Sequence, residues 1–382
     1  ANFNGNEFAK DAISKGAKLA VIDEEQYAIN ADYILVENVL HCLHQLASFH
    51  RSHLNCPVLG ITGTNGKTTT KELINAVLAQ KYDVVCTQGN LNNHIGVPLT
   101  VLSADLKTEF LIVEMGANHQ NEIKLLSEIA DVNYGIITNI GKAHLEGFGS
   151  VEGVTKTKKE LYDYIKKHSG TLFINKEDKL LQSISTTINK VEYLTDEHND
   201  GSPFASVKCF DKIITSKLIG SYNCTNIQAA ISIGLYFDVS FEDIKSAIEN
   251  YTPQNNRSQL ESTIKGNSLI IDYYNANPTS MIKAIESFYS IKSAKKLFIL
   301  GDMLELGEVS IHEHQKIIDE LSETQSEAIL IGTEFGKCSH SFPHFTDVYE
   351  AQKWIKEKSF KDYFILLKGS RGIKLEELKD LL

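Results

Sequence analysis

The segment Gly60-Ile61-Thr62-Gly63-Thr64-Asn65-Gly66-Lys67-Thr68-Thr69 packs glycines, a lysine and several hydroxyls into ten residues. Glycines let a backbone curl until successive N–H groups face one anion, and a helix opening at Lys67 adds partial positive charge at its N-terminus. In that setting Lys67 reaches the outer phosphates of a nucleotide and Thr68 offers its hydroxyl to magnesium. The general pattern Gly-x-x-x-x-Gly-Lys-[Ser/Thr] asks for glycine where this chain has Ile61; its glycines stand at 60 and 63 instead. A short glycine-rich turn without a ligand is the competing reading. It is weakened because strand, turn, Gly-Lys-Thr and helix follow in the required order.

Two further segments carry candidate chemistry. The apolar run 110–114 ends in Glu114, and a carboxylate at the C-terminal end of a strand beside a phosphate loop is well placed to hold magnesium. The run Thr138-Asn139-Ile140-Gly141-Lys142-Ala143-His144 also follows an apolar strand, which puts His144 at the same sheet edge. Lys158 lies within Lys156-Thr157-Lys158-Lys159-Glu160-Leu161. On residues alone His144 is a surface histidine and Lys158 part of a solvated charge run.

These residues need a scaffold. Short β-rich apolar runs at 17–22, 57–61, 110–114, 134–138, 171–174, 268–272, 295–300, 327–331 and 362–367 alternate with helical patterns, which predicts an α/β protein with mainly parallel sheets. Helices are expected over 67–80 and around Val39, Leu43, Leu46 and Phe49. The polar face of the latter carries His41, His44, His50 and His53. A metal site from His41 and His44 competes there with a solvated face, and the four are read as structural. With 382 residues the chain exceeds one ordinary core, and breaks are expected near 52–56 and 251–256, giving domains 1–52, 53–253 and 254–382.

A net charge of −11 argues against nucleic acid as a partner while leaving small anionic substrates open. The six cysteines are scattered, which suits a reducing compartment rather than a disulfide framework or zinc site. No apolar run is long enough to span a bilayer and no secretory pattern is found, so no membrane insertion and a cytoplasmic location are expected.

Taken together, these segments resemble the Mur ligase family, which joins amino acids to the growing peptidoglycan precursor. Gly-Thr-Asn-Gly-Lys-Thr-Thr is similar to that family's loop and accounts for Ile61. The resemblance implies ATP at Gly63, Thr64, Asn65, Gly66, Lys67, Thr68 and Thr69. Asn223 and Asn226 would lie near the adenine, and Arg257 and Asp272 would come from a third domain. It implies two magnesium ions held by Thr68, Glu114, His144 and a carbamylated Lys158, with Lys67, His144, Lys158 and Arg257 in catalytic roles. Tyr222 replaces the family's usual histidine in Gly-x-His-Asn-x-x-Asn, which puts in doubt any role needing that histidine.

The segments 90–98, 272–281, 301–307 and 368–371 are similar to those of family members that use UDP-N-acetylmuramoyl-tripeptide and D-Ala-D-Ala. On that likeness Asn92, Asn93, Asn275, Asn277, Ser370 and Arg371 are expected at the substrates. The implied architecture is a partial N-terminal UDP-binding domain, a central P-loop ATPase domain and a C-terminal Rossmann-like domain, in a monomer. Residues 1–9 resemble the middle of the family's first domain, so part of the UDP-binding module is expected to be missing. The rival readings are another ligase of this fold, adding a single amino acid to UDP-muramyl peptide or glutamate to folate, and a nucleotide-binding module without catalysis.

Overall fold

The computed structural model describes residues 4–143, 145–199, 201–254 and 256–382. Near the start, β1 (Ala20–Ile22) and β2 (Tyr33–Leu35) pair in parallel over a small core of Ala9, Ala20 and Ile22. The strand expected at 17–22 is thus confined to its last three residues.

The strands β3 (Val58–Thr62), β4 (Val84–Cys86), β5 (Phe110–Glu114), β6 (Tyr134–Ile137), β7 (Thr171–Asn175) and β8 (Asn189–Tyr193) form a parallel sheet in the order β4-β5-β3-β6-β7-β8. The inner strands β3, β5, β6 and β7 are apolar runs because both faces are covered. Leu111 and Val113 feed one core, while Phe110 and Ile112 feed the other. The order reverses at β3, so the C-terminal ends of β5, β3 and β6 lie side by side at the switch point, where ligands of such sheets bind.

A hairpin, β9 (Phe204–Cys209) with β10 (Lys212–Ile219), follows. The final sheet contains β11 (Gln259–Ser262), β12 (Ser268–Asp272), β13 (Lys296–Gly301), β14 (Glu327–Ile331), β15 (His344–Phe345) and β16 (Phe364–Lys368). Its order is β11-β12-β16-β13-β14-β15, parallel except for β11 at one edge. Here Leu269 and Ile271 enter one core and Ile270 the other. The C-terminal ends of β12, β16 and β13 are adjacent and face the central sheet's switch point.

The helix Val39–Arg51 opens at Asn38, whose side chain accepts the N–H of His41 at 2.8 Å. His44 Nε2 donates to the carbonyl of His94 at 2.7 Å and His50 Nε2 to that of Ala104 at 2.8 Å, so these two rings fasten the helix to the central domain. Arg51 closes it. Its guanidinium is 6% exposed and donates to the carbonyls of Ala130 (3.0 Å), Leu54 (2.8 Å) and Asp131 (3.2 Å). Replacing Arg51 by Met leaves buried carbonyls without donors, which costs about 2–3 kcal/mol of stability. Urea denaturation checks this; a midpoint unchanged from the parent would rule out the anchor.

Candidate active site

The phosphate loop starts where β3 ends. Ile61 is fully buried as the penultimate residue of β3 with its side chain in the core, so the turn cannot begin there; it begins at Gly63. Gly63 (φ +147) and Gly66 (φ +79) occupy backbone conformations that side chains resist. A Cβ on Gly63 would lie 2.0 Å from Thr138 Oγ1, and one on Gly66 would lie 2.8 Å from Asn226 Oδ1. The segment after β6 holds the loop's shape. Thr64 N–H donates to Asn139 O (2.9 Å), Asn65 N–H to Asn139 Oδ1 (3.0 Å), and Thr138 Oγ1 donates to Asn65 O (2.6 Å). Lys67, half-buried at the start of helix Lys67–Leu78, folds back to donate to Gly63 O (2.7 Å) and Thr64 O (3.1 Å).

At the end of β5, Glu114 is 1% exposed. Its Oε1 accepts from Asn92 Nδ2 (2.8 Å) and Thr68 Oγ1 (3.2 Å), and its N–H donates to Thr87 Oγ1 (3.0 Å). Oε2 is buried and has no partner among the described residues. A buried carboxylate oxygen left bare beside a hydroxyl is the donor chemistry of a hard cation. Among the described residues no three His, Cys, Asp or Glu side chains cluster, so the described donors alone form an incomplete set. Phosphate oxygens complete such sets where magnesium travels with a nucleotide.

Lys158 is buried on the helix Val151–Lys167, its ammonium 5.8 Å from the Phe148 ring centroid, with no ion-pair partner among the described residues. Desolvation, then the charge of Lys67, pushes its pKa down to about 7. Desolvation likewise brings Lys67 down to about 8, with Glu114 opposing and Arg257 reinforcing the fall. At neutral pH a substantial fraction of Lys158 is therefore an uncharged, nucleophilic amine. His144 lies outside the described residues.

The third domain closes the far side of a cavity of about 550 Å³ that contains Lys67, Glu114, Asn223, Asn226, Arg257 and Asp272. Arg257 stacks on Tyr274, 4.0 Å from its ring centroid, and its buried Nε has no partner among the described residues. Arg371 faces the same ring at 5.9 Å and lines an adjoining cavity of about 310 Å³ with Thr68 and Arg257. Asp272, at the end of β12, accepts from Lys368 Nζ at 2.6 Å, so its charge is already compensated. Asn226 Nδ2 donates to Asn223 Oδ1 (3.0 Å) and its Oδ1 accepts from Thr70 Oγ1 (3.1 Å), bracing the loop helix from behind. Tyr222, standing where the histidine was expected, bonds Ser258 Oγ at 3.0 Å.

The residues expected at the substrates divide by position. Asn92, Asn93, Asn275 and Asn277 line the main cavity, and Arg371 its neighbour. Asn92 orients Glu114; Asn93 Oδ1 accepts the Gly96 N–H (2.9 Å) at the next helix start. Asn277 caps the helix Pro278–Ser290 and donates to Asn65 Oδ1 at 2.7 Å, joining third domain to phosphate loop. Ser370 is 3% exposed, is not among the cavity-lining residues, and accepts the Leu304 N–H at 3.0 Å. The sequence reading quoted Tyr274, Glu305 and Lys368 within the segments 272–281, 301–307 and 368–371 but gave them no site role, and it missed the interdomain ion pair between Lys142 and Glu313 (2.7 Å). Glu305 and Lys368 had a further signal, their place at or just past strand ends.

The sequence profile of the Mur ligase middle domain matches residues 61–234, and that of the Mur ligase glutamate ligase domain matches 256–371. The chain is 35% identical over 409 residues to the UDP-N-acetylmuramoyl-tripeptide–D-alanyl-D-alanine ligase of Bacillus subtilis, covering 100% of this chain and 88% of that protein. Among solved structures it resembles MurF from Acinetobacter baumannii (TM-score 0.87, 26% identity, 100% of this chain and 88% of that one). It also resembles the MurF ligase of Thermotoga maritima in complex with ADP (TM-score 0.86, 26% identity, 99% and 92%). With both domain profiles matched in order around the phosphate loop, and a relative aligned over the whole chain, this protein belongs to the Mur ligase family.

Proposed function

We infer that the chain is an ATP-dependent ligase joining the amine of D-Ala-D-Ala to the terminal carboxylate of UDP-N-acetylmuramoyl-tripeptide. The products are the pentapeptide precursor of peptidoglycan, ADP and phosphate. One observation supports this above the others: the phosphate loop, Glu114 and Arg257 meet in a single cavity between two sheet edges, in a chain that aligns along its length with ligases of that name. No helix among the described residues is long and apolar enough to cross a membrane. Nucleotide-linked substrates support a cytoplasmic location for the reaction, and we assign the domains to 1–52, 53–253 and 254–382.

A carboxylate does not acylate an amine at neutral pH because its oxygen is a poor leaving group. In the first step a carboxylate oxygen attacks the terminal phosphorus of ATP, the bond to ADP breaks, and an acyl phosphate forms. Lys67 and Arg257 offset the charge on the transferred group, and the loop amides from Gly63 to Thr69 orient it. In the second step the acceptor amine attacks the acyl carbon, the bond to phosphate breaks, and phosphate leaves with the proton the amine gives up. Docking of the third domain through Asn277 and Asn65 helps keep water from the acyl phosphate.

Magnesium, when bound, supplies further charge neutralisation, with Thr68, Glu114 and His144 to hold one ion and a carbamylated Lys158 to position a second. The bare Oε2 of Glu114 fits the first role. For the second, the amine of Lys158 adds to carbon dioxide, forming an N–C bond and releasing one proton. Its lowered pKa supports that chemistry.

Phosphate release measured with D-Ala-D-Ala, single amino acids, and folate plus glutamate separates the ligases of this fold. Turnover with UDP-N-acetylmuramoyl-tripeptide and D-Ala-D-Ala should exceed every other pairing; preference for a single amino acid or for folate would overturn the assignment. For the carbamate, Lys158→Ala should lose about 10- to 100-fold in kcat, the scale on which a metal site's supports act. Added short carboxylic acids should partly restore it, and absence of rescue would count against a carboxylate at this position.

A further inference from the structure

Where the chain enters the third domain, it turns sharply around one arginine. Asn256 (φ +52) and Ser258 (φ +51) both have left-handed backbones, and Arg257 lies between them. Residues other than glycine keep that conformation where their surroundings impose it. The side chain of Arg257 stacks on Tyr274, and its buried Nε has no partner among the described residues. A stacked guanidinium can slide across a ring. Its reach into the cavity is therefore set by the backbone that carries it.

That backbone is held from both domains. On the third-domain side, Gln259 Oε1 accepts the N–H of Asn256 (2.8 Å), and its Nε2 donates to the carbonyl of Pro253 (2.6 Å). From the central domain, the N–H of Ile219 donates to the carbonyl of Ser258 (3.2 Å). Ser258 is 4% exposed; its Oγ bonds to the hydroxyl of Tyr222 (3.0 Å) and accepts from Asn223 Nδ2 (3.2 Å). Gly220 leaves room for the phenol ring, since a Cβ there would lie 2.4 Å from Tyr222 Cε1. Asn223 is engaged elsewhere as well, donating to Ile219 O (2.8 Å) and accepting from Asn226 (3.0 Å). The bond from Tyr222 crosses the domain junction and ends one residue from Arg257.

We propose that Tyr222 is a positioning residue for phosphoryl transfer, holding through Ser258 the backbone turn that carries Arg257 to the terminal phosphate. This rests on the phosphate role of Arg257 in the ligase reading. Tyr222, Asn223 and Ser258 line the main cavity together with Asn226. One hydrogen-bonded network thus joins the wall expected near the base to the arginine expected at the phosphates. Misplacing a charged group by a fraction of its bond length weakens its hold on the transferred group, so loss of one hydroxyl behind Arg257 slows the first step.

The test removes that hydroxyl and keeps the ring. With Tyr222→Phe, single-turnover ADP formation from ATP and the UDP-tripeptide, without D-Ala-D-Ala, should slow about 3- to 10-fold, the weight of one neutral hydrogen bond. The dissociation constant for ADP, which lacks the terminal phosphate, should stay within about twofold. Ser258→Ala should reproduce the loss, and combining the two should add less than about a further twofold. In an Arg257→Ala background, Tyr222→Phe should change the rate by less than about twofold, because the group it places is gone. An undiminished rate in Tyr222→Phe overturns the proposal. An equal loss in the Arg257→Ala background, or a matching loss of ADP affinity, also overturns it, because the tyrosine would then serve the fold or the base pocket. If Arg257→Ala alone keeps the parental rate, the phosphate role of Arg257 fails, and the proposal with it.

Discussion

Lys67, Lys158 and Arg257 act on one another electrostatically around one deeply buried carboxylate, Glu114, and the burial of these charges governs the phosphate side of the site. Burial away from water disfavours the charged form of the two lysines, repulsion among the cations adds to it, and together they draw down the lysine pKa values. Lys67 falls to about 8 and Lys158 to about 7. Such an arrangement is unfavourable in isolation and becomes favourable once a polyphosphate enters. The same tension has a second consequence: at neutral pH Lys158 exists in part as the amine that carbamylation requires, and that modification would turn a repelling cation into an anion.

Everything around this charge cluster fixes geometry. The sharp loop depends on two glycines that other residues could not replace, because Thr138 and Asn226 fill the space where a Cβ would stand. Thr138 and Asn139 hold the loop from β6, while Asn277 reaches it from the third domain. Lys142, in the segment following β6, pairs with buried Glu313 across the same junction. The two sheets meet edge to edge at the C-terminal ends of their strands, so residues far apart in sequence share one cavity. An ATP-dependent acylation needs this convergence, since phosphate and acceptor must meet in a space with little water.

Most of this scaffold was legible because buried parallel strands leave continuous apolar runs, and the strands at 110–114, 268–272 and 327–331 form at the bounds their patterns suggest. Elements without that signal escaped. The hairpin β9–β10 turns at Phe210 and Asp211, both with positive φ, rather than at the Asn-Gly or Asp-Gly pair that marks such turns. The edge strand β8, Asn-Lys-Val-Glu-Tyr, is half polar because it is covered on one side only. In the site, local spacing exposed the loop and Glu114, yet it could not show that Asp272 is neutralised by Lys368. That ion pair depends on β12 and β16 lying side by side. The place of Glu305 at the cavity wall was hidden for a similar reason: the backbone before it is held by the buried Asp302, His314 and Ser370, and these converge only in the fold.

Ligation of this kind requires that ATP phosphorylate the tripeptide's terminal carboxylate. Labelling both oxygens of that carboxylate with ¹⁸O and analysing the released phosphate by mass spectrometry follows the bond directly. One labelled oxygen should appear in each phosphate molecule, with the other retained in the new amide. Phosphate free of label, alongside amide formation, would show that no acyl phosphate forms and would contradict an acylation site in the cavity between the two sheets.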